Sequence, residues 1–307
     1  MSEIKGKVIF CTGGTGSFGN AVVKKLLTLN PKRIIIFSRD ELKQELMRNE
    51  YNDPRLRFII GDIRDKNAID RAIHINQPDY LFHAAALKQV PAAELFPMEY
   101  IKTNVLGSEN VFSSAVKHGV KRVVILSTDK AVYPINVMGM TKALMEKLMI
   151  NYSKQPSPTI FCGVRYGNVL YSRGSVVPYF ISLIKQGKRL RVTNPYMTRF
   201  LLTLDDAVDL VLETLVNGEN GKMYIKRASA CDIASLALAI NKIFNIDDTY
   251  ETIGIKTGEK IHETLEINLL EDDFTSENTK RLTIEEIKEL LLSLPEIQKE
   301  IAQQSRK

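Results

Sequence analysis

Val8-Ile9-Phe10-Cys11-Thr12-Gly13-Gly14-Thr15-Gly16-Ser17-Phe18-Gly19 decides the fold of this chain. Its first half is a short apolar run, its second half a turn with glycines three residues apart, and an amphipathic helical pattern follows. In a strand–loop–helix unit one such glycine permits the tight turn, the next lets backbone approach a pyrophosphate, and the third allows the helix to pack closely. The anion then rests on the N–H groups of the helix N-terminus. Thr12, Gly13, Gly16, Ser17, Phe18 and Gly19 are therefore candidate dinucleotide contacts. A merely flexible glycine loop is the competing reading, and the strand before it and helix after it argue against that.

Working outward, β-branched runs at residues 7–12, 33–38, 56–61, 80–84, 122–127 and 159–166 alternate with amphipathic segments. Such alternation predicts an α/β, doubly wound parallel sheet of the Rossmann type. The runs are apolar almost throughout, as in Val123-Val124-Ile125-Leu126, which is what strands covered on both faces require. Residues 1–170 are expected to form the dinucleotide-binding domain. Residues 171–307 are expected to form a smaller substrate-binding region, with interleaved boundaries and helices at 205–216, 233–244 and 283–301, the last broken by Pro295.

The composition is that of an ordinary globular protein: 307 residues, 44% hydrophobic, 25% charged and net charge +6. Basic residues are interspersed with acids rather than gathered in a stripe, so nucleic acid is not the expected partner. Cys11, Cys162 and Cys231 show no metal-ligand spacing and are odd in number, and His83 and His262 lack partners at such spacing. With no signal-like or bilayer-length apolar run, a cytoplasmic location is expected, with no membrane partner.

At the end of the second strand, where an NAD site places a ribose-binding carboxylate, stand Ser38 and Arg39, with Lys43 one helical turn on. A guanidinium fork and a hydroxyl suit a ribose 2′-phosphate, so NADP is expected over NAD. The alternative is a solvated helix start in which Asp40 serves as the acid. Asp62-Ile63 after the third strand and Ala84-Ala85-Ala86 after the fourth fall on the adenine and nicotinamide sides. Asp129 and Lys130 end the fifth strand, where α/β sheets present ligand-contacting residues. Asn168, then Arg173-Gly174-Ser175-Val176 at a helix start, offer an amide, a cation and free N–H groups to a diphosphate. Lys88 and Gln89 follow the fourth strand.

Thr12–Gly19, Phe37–Gln44, His83–Pro91, Ser127-Thr128-Asp129-Lys130-Ala131, Val164–Asn168 and Met197-Thr198-Arg199-Phe200 together resemble the extended short-chain dehydrogenase/reductases. Within these they are similar to the nucleotide-sugar 4,6-dehydratases acting on UDP-N-acetylglucosamine, over about the first 260 residues. The superfamily carries Tyr and Lys four residues apart on one helix face; here those positions hold Met138 and Lys142. Methionine cannot transfer a proton. The departure is similar to an inverting branch of these dehydratases, and Tyr133 is a possible surrogate phenol.

The resemblance implies hydride transfer from sugar C4 to NADP, then elimination of water across C5 and C6 with Lys130 as base and Asp129 as acid, then return of the hydride to C6. It also implies Lys142 on the nicotinamide ribose, Lys88 near the sugar, Arg199 on the diphosphate, Thr193 near uracil and Glu259 near its ribose. A homo-oligomer, at least a dimer through two long helices at residues 97–118 and 137–152, is implied as well. The segment after Gly258-Glu259-Lys260 is shorter than in typical relatives, which puts higher assembly in doubt. Two other readings stay open: a UDP-sugar 4-epimerase, which needs no acid at C6, and a non-catalytic NADP-binding protein.

Overall fold

The structure is a computed structural model that describes residues 2–304 other than Arg173, Asp248 and Leu269. The chain divides into two compact units: the first runs to Tyr166 and adds Leu204–Lys226, and the second comprises Gly167–Thr203 and the chain from Arg227 onward.

In the first unit, β1 (Val8–Thr12), β2 (Arg33–Ser38), β3 (Leu56–Ile60), β4 (Tyr80–His83), β5 (Arg122–Leu126) and β6 (Ile160–Arg165) form a parallel sheet in the order β6-β5-β4-β1-β2-β3, and Met223–Ile225 adds a seventh strand beside β6. Each strand lies within a residue or two of its expected run. Side chains alternate between two apolar layers, as the period of two requires. Ile9 and Cys11 of β1 and Ile34 and Ile36 of β2 pack with Val22, Leu26, Val211 and Leu215, whereas Phe10, Ile35 and Phe37 pack with Ile73, Phe112, Met145 and Met149. Full burial of each large side chain contributes about 1.5–3 kcal/mol. The helix after β1 covers one face and the helices after β4 the other, so a crevice opens at the C-terminal ends of these neighbouring strands.

Residues 97–118, expected as one long helix, form Pro97–Tyr100, a wider π-helical stretch Ile101–Leu106, and Gly107–Lys117. The wide turn accommodates buried Asn104, whose side chain accepts from Leu87 N (2.8 Å) and donates to Leu87 O (2.9 Å) and Thr141 Oγ1 (3.1 Å). Val137–Ser153 is a continuous α-helix.

The second unit holds a small sheet of Asn168–Val169, Thr198–Leu202 and Ala230–Asp232, and its core joins the helices Val176–Lys185, Ile233–Ile243, Ile284–Leu292 and Pro295–Gln304. Pro295 starts a new helix rather than kinking one. Thr283 begins its predecessor with a capping box, Thr283 and Glu286 each satisfying the other's backbone N–H. No helix among the described residues is long and apolar enough to cross a membrane.

Candidate active site

The glycine loop is shaped by what its residues lack. Gly13 has φ +69°, and a Cβ there would lie 2.7 Å from Ala85 N in the segment after β4; at Gly19 it would lie 2.4 Å from Gly13 O. Those two glycines are demanded by the fold itself. At Gly16 the added Cβ would meet only Gly13 O, at 3.3 Å. A Cβ there would need only a small shift of that carbonyl. Gly16 is also the N-cap of Ser17–Thr28, and no side chain caps it. The first N–H groups of this helix stay available to an anion, as a pyrophosphate site requires. The ring of Phe18 packs against Phe82 and Tyr166, so only its backbone is placed for a cofactor.

Around the loop, Thr12 Oγ1 meets His83 Nδ1 at 2.7 Å, and His83 Nε2 meets Ser108 Oγ at 2.9 Å. Burial, with the nearby Lys142 charge, pushes the His83 pKa down to about 3, so the imidazole is a neutral strut. Ser38 is held by Gln44. Arg39 Nη1 donates to Asp62 Oδ2 at 3.3 Å, Arg64 Nε donates to the same oxygen at 2.8 Å, and Lys43 pairs with Asp40. Partial burial pushes the Asp62 carboxyl up, but its hydrogen bonds and the two arginine charges outweigh this and hold it below the usual range. The Arg39–Asp62 pair is half exposed on the arginine side, and such pairs contribute at most about 1 kcal/mol, so a phosphate can recruit Arg39. Ile63 is buried against Gly107. A cavity of about 480 Å³ in this unit is lined by Arg39, Arg64, Ala86, Lys88, Phe96 and Tyr100 among others. Loop, helix terminus and cations fit a nicotinamide dinucleotide.

After β5, Asp129–Ala131 forms a single 3₁₀ turn. Asp129 is fully buried; its Oδ1 accepts from Lys130 Nζ (3.0 Å) and Thr128 Oγ1 (2.9 Å), while Oδ2 is buried with no hydrogen-bond partner. An orphaned buried carboxylate oxygen costs about 1–3 kcal/mol or more, and a substrate hydroxyl is the kind of group that would relieve it. Thr128 was not singled out from the sequence, although it stands inside the quoted Ser-Thr-Asp-Lys element.

The helix Val137–Ser153 abuts this turn. A Cβ on Gly139 would lie 2.2 Å from Lys130 O, so the residue after Met138 has to be glycine for the two to touch. Asn136 caps the helix by accepting from Gly139 N at 2.8 Å. Met138 is buried in an apolar cluster with Ala93 and Tyr100. The Tyr100 hydroxyl donates to Gln89 O, and Tyr133 is 54% exposed with φ +45°. Lys142 is buried and donates to Leu126 O at 2.8 Å; burial lowers its pKa to about 8, against the opposing pull of Glu146.

In the second unit, Asn168 Oδ1 and Ser175 Oγ are both buried without a hydrogen-bond partner, and Ser175 is an N-cap of Val176–Lys185 whose side chain does not cap it. Arg173 lies outside the described residues. Thr193 Oγ1 lies 3.3 Å from Met197 Sδ, and Glu259 accepts from Lys256 N at 3.2 Å. Arg199 bonds carbonyls: Nη1 donates to Thr198 O and Ile261 O, and Nη2 to Lys260 O. Its fork anchors the segment that carries Glu259.

The UDP-glucose 4-epimerase of Rickettsia prowazekii (strain Madrid E) is 48% identical over 336 aligned positions, which cover 96% of this chain and 98% of the relative. That alignment is longer than this chain, so the relative carries residues this chain lacks. The X-ray structure of Pen from Bacillus thuringiensis superposes with a TM-score of 0.89 at 33% identity, covering 96% of this chain and 99% of that one. DesIV, a dTDP-glucose 4,6-dehydratase from Streptomyces venezuelae with NAD and TYD bound, shares the fold (TM-score 0.76, 21% identity, covering 83% of this chain and 86% of that one). The family model described as polysaccharide biosynthesis protein matches residues 9–287, and the chain belongs to that family.

Proposed function

We propose that this protein is a nicotinamide-dinucleotide-dependent enzyme of UDP-sugars whose reaction opens by oxidising the hexose at C4. The 48% identity to UDP-glucose 4-epimerases over nearly the whole chain carries that reading. When bound, the dinucleotide accepts a hydride and later returns it. Arg39, Ser38 and Lys43 favour NADP through the 2′-phosphate. Gly16 and the Ser17–Thr28 terminus hold the pyrophosphate, and Lys142 holds the nicotinamide ribose.

Two continuations follow the 4-ketone. The relatives' names favour a 4-epimerase: the ketone is re-presented to the returning hydride, and Lys130 relays the O4 proton. One observation of the site favours a 4,6-dehydratase instead, namely a buried carboxylate with an orphaned oxygen beside Lys130 Nζ. There Lys130 takes the O4 proton as the C4 hydride leaves and passes it to Asp129 across their 3.0 Å bond; it then removes the C5 proton, which the ketone acidifies, while Asp129 gives its proton to the departing C6 hydroxyl. The hydride returns at C6 and Lys130 gives its proton back to C5. Epimerisation has no use for an acid at C6. Asn168, Ser175, Val176, Thr193 and Glu259 are assigned to the nucleotide diphosphate of the substrate, with Arg199 positioning Glu259.

Incubating the protein with UDP-glucose and with UDP-N-acetylglucosamine in deuterated water separates the readings. Unchanged mass with inversion at C4 supports the epimerase. Loss of water with deuterium at C5 supports the dehydratase, and the C5 configuration reports inversion. Cofactor binding with no conversion of either sugar leaves a different sugar substrate or the non-catalytic reading. A homodimer is proposed through the helices that expose Leu106, Met140 and Leu144; sedimentation at the monomer mass would overturn it.

A further inference from the structure

One buried charge beside this site has no role in the reaction as described. Glu146 lies one turn beyond Lys142 on the helix Val137–Ser153 and is 7% exposed. Arg165, at the end of β6, grips both its carboxylate oxygens: Nε donates to Oε1 at 3.0 Å and Nη2 to Oε2 at 2.6 Å. The same Oε1 accepts from the Ser127 hydroxyl, and Ser127 is the residue that leads into Thr128-Asp129-Lys130. Backbone bonds from Ser127 N to Val164 O (2.8 Å) and from Asp129 N to Tyr166 O (3.1 Å) seat that segment along the continuation of β6. A single carboxylate thus ties together the helix bearing Lys142, the end of β6 and the entrance to the catalytic turn.

A buried ion pair of this kind is weak evidence for stability, because desolvation offsets most of its attraction. Its position suggests another use. Burial of Lys142 favours the neutral amine, against the bond that its ammonium donates to Leu126 O. Among groups on elements packed against the helix, His83 on β4 is neutral, Asp129 and Lys130 pair with each other, Glu94 accepts from Val137 N at the helix start and Glu109 from Tyr152 at its far end. Glu146, four residues beyond Lys142 on the same face of the helix and likewise buried, is the carboxylate placed to act on it.

We propose that Glu146 is a positioning residue of this site: its carboxylate, held by Arg165, keeps the Lys142 ammonium charged, and through Ser127 it fixes the seat of the Asp129–Lys130 turn. The inference rests on Lys142 holding the nicotinamide ribose, as proposed above.

The test measures NADPH affinity by fluorescence and UDP-sugar turnover across pH 6 to 10 for the wild type, Glu146→Gln, Arg165→Lys and Ser127→Ala. In the wild type, affinity falls on the alkaline side as Lys142 discharges. In Glu146→Gln that limb moves to lower pH by about one unit. Arg165→Lys keeps the carboxylate charged and leaves the limb in place. Ser127→Ala lowers kcat about tenfold with the limb and NADPH affinity unchanged, because only the seat of the turn is loosened. An unmoved limb in Glu146→Gln, or an equal shift in Arg165→Lys, overturns the charge role. Full kcat in Ser127→Ala overturns the seating role and remains decisive if Glu146→Gln does not fold. A wild-type protein that binds neither NADPH nor NADH brings down the cofactor reading itself, an outcome distinct from binding with an unmoved limb.

Discussion

The glycine loop after β1 and the Asp129–Ala131 turn after β5 leave the same edge of one parallel sheet, two strands apart, and are built on opposite principles. The loop gets its shape from missing side chains: two of its glycines would collide with backbone if they carried a Cβ. The turn gets its shape from side chains that are present and polar, with Thr128, Lys130 and the buried Asp129 bonded to one another and Ser127 bonded to Glu146. Steric exclusion is a local property, written into three-residue spacings. A buried polar network draws its partners from residues 19 positions away in Glu146 and 38 away in Arg165, and no spacing near the turn announces them.

Substitutions can break or sharpen that contrast. The largest expected effect is at the turn: Lys130→Met and Asp129→Asn should each cost about 10²–10⁴ in turnover while NADPH affinity stays near wild type, because neither builds the cofactor loop. Steady-state rates beside fluorescence titration check this, and equal losses in both readouts would make the turn structural. Next, Gly13→Ala should destabilise the fold by about 1–3 kcal/mol in denaturant unfolding, since the clashing atoms are backbone and cannot swing aside. Gly16→Ala should lower the midpoint less than Gly13→Ala, since its closest contact is 3.3 Å, and should weaken cofactor binding. Equal midpoints for the two would refute the division of labour among the glycines.

His83, at the end of the strand between the two segments, offers a third test. Its folded pKa lies near 3 against 6.5 for the free side chain, so below pH 6.5 the unfolded chain binds the extra proton. Stability should therefore fall as pH drops from 6.5 toward 3, by up to about 1.4 kcal/mol per pH unit from this group. Thermal melts of His83→Gln should show a flatter profile over that window, and an identical slope would contradict the assignment. The smallest effect is expected for Asn136→Ala, which removes the cap of the helix resting on the turn and should cost about 1 kcal/mol, measured by chemical denaturation.

The sheet was legible because burial on both faces forces uninterrupted apolar runs, and each run at residues 33–38, 80–84 or 122–127 became a strand with only its ends trimmed. The break of residues 97–118 into a π-helical stretch was not, because it answers to Asn104 reaching Leu87 and Thr141 across the fold. The bonds from Arg199 to the carbonyls of Thr198, Lys260 and Ile261 were likewise not legible, because two of those carbonyls belong to a segment some sixty residues away.

By itself the sequence determined the parallel sheet, the glycine loop with its uncapped helix N-terminus, and the pairing of Asp129 with Lys130 at a strand end, since each depends on hydrophobic period, Cβ sterics or adjacency along the chain. Tertiary structure alone decided that Asp129 keeps one oxygen unpartnered, that Gly139 is what lets a helix rest on Lys130, and that Glu146 stands between Ser127 and Arg165. Those features arise where distant segments meet, and hydrogen bonding and desolvation there depend on every neighbour brought together by folding.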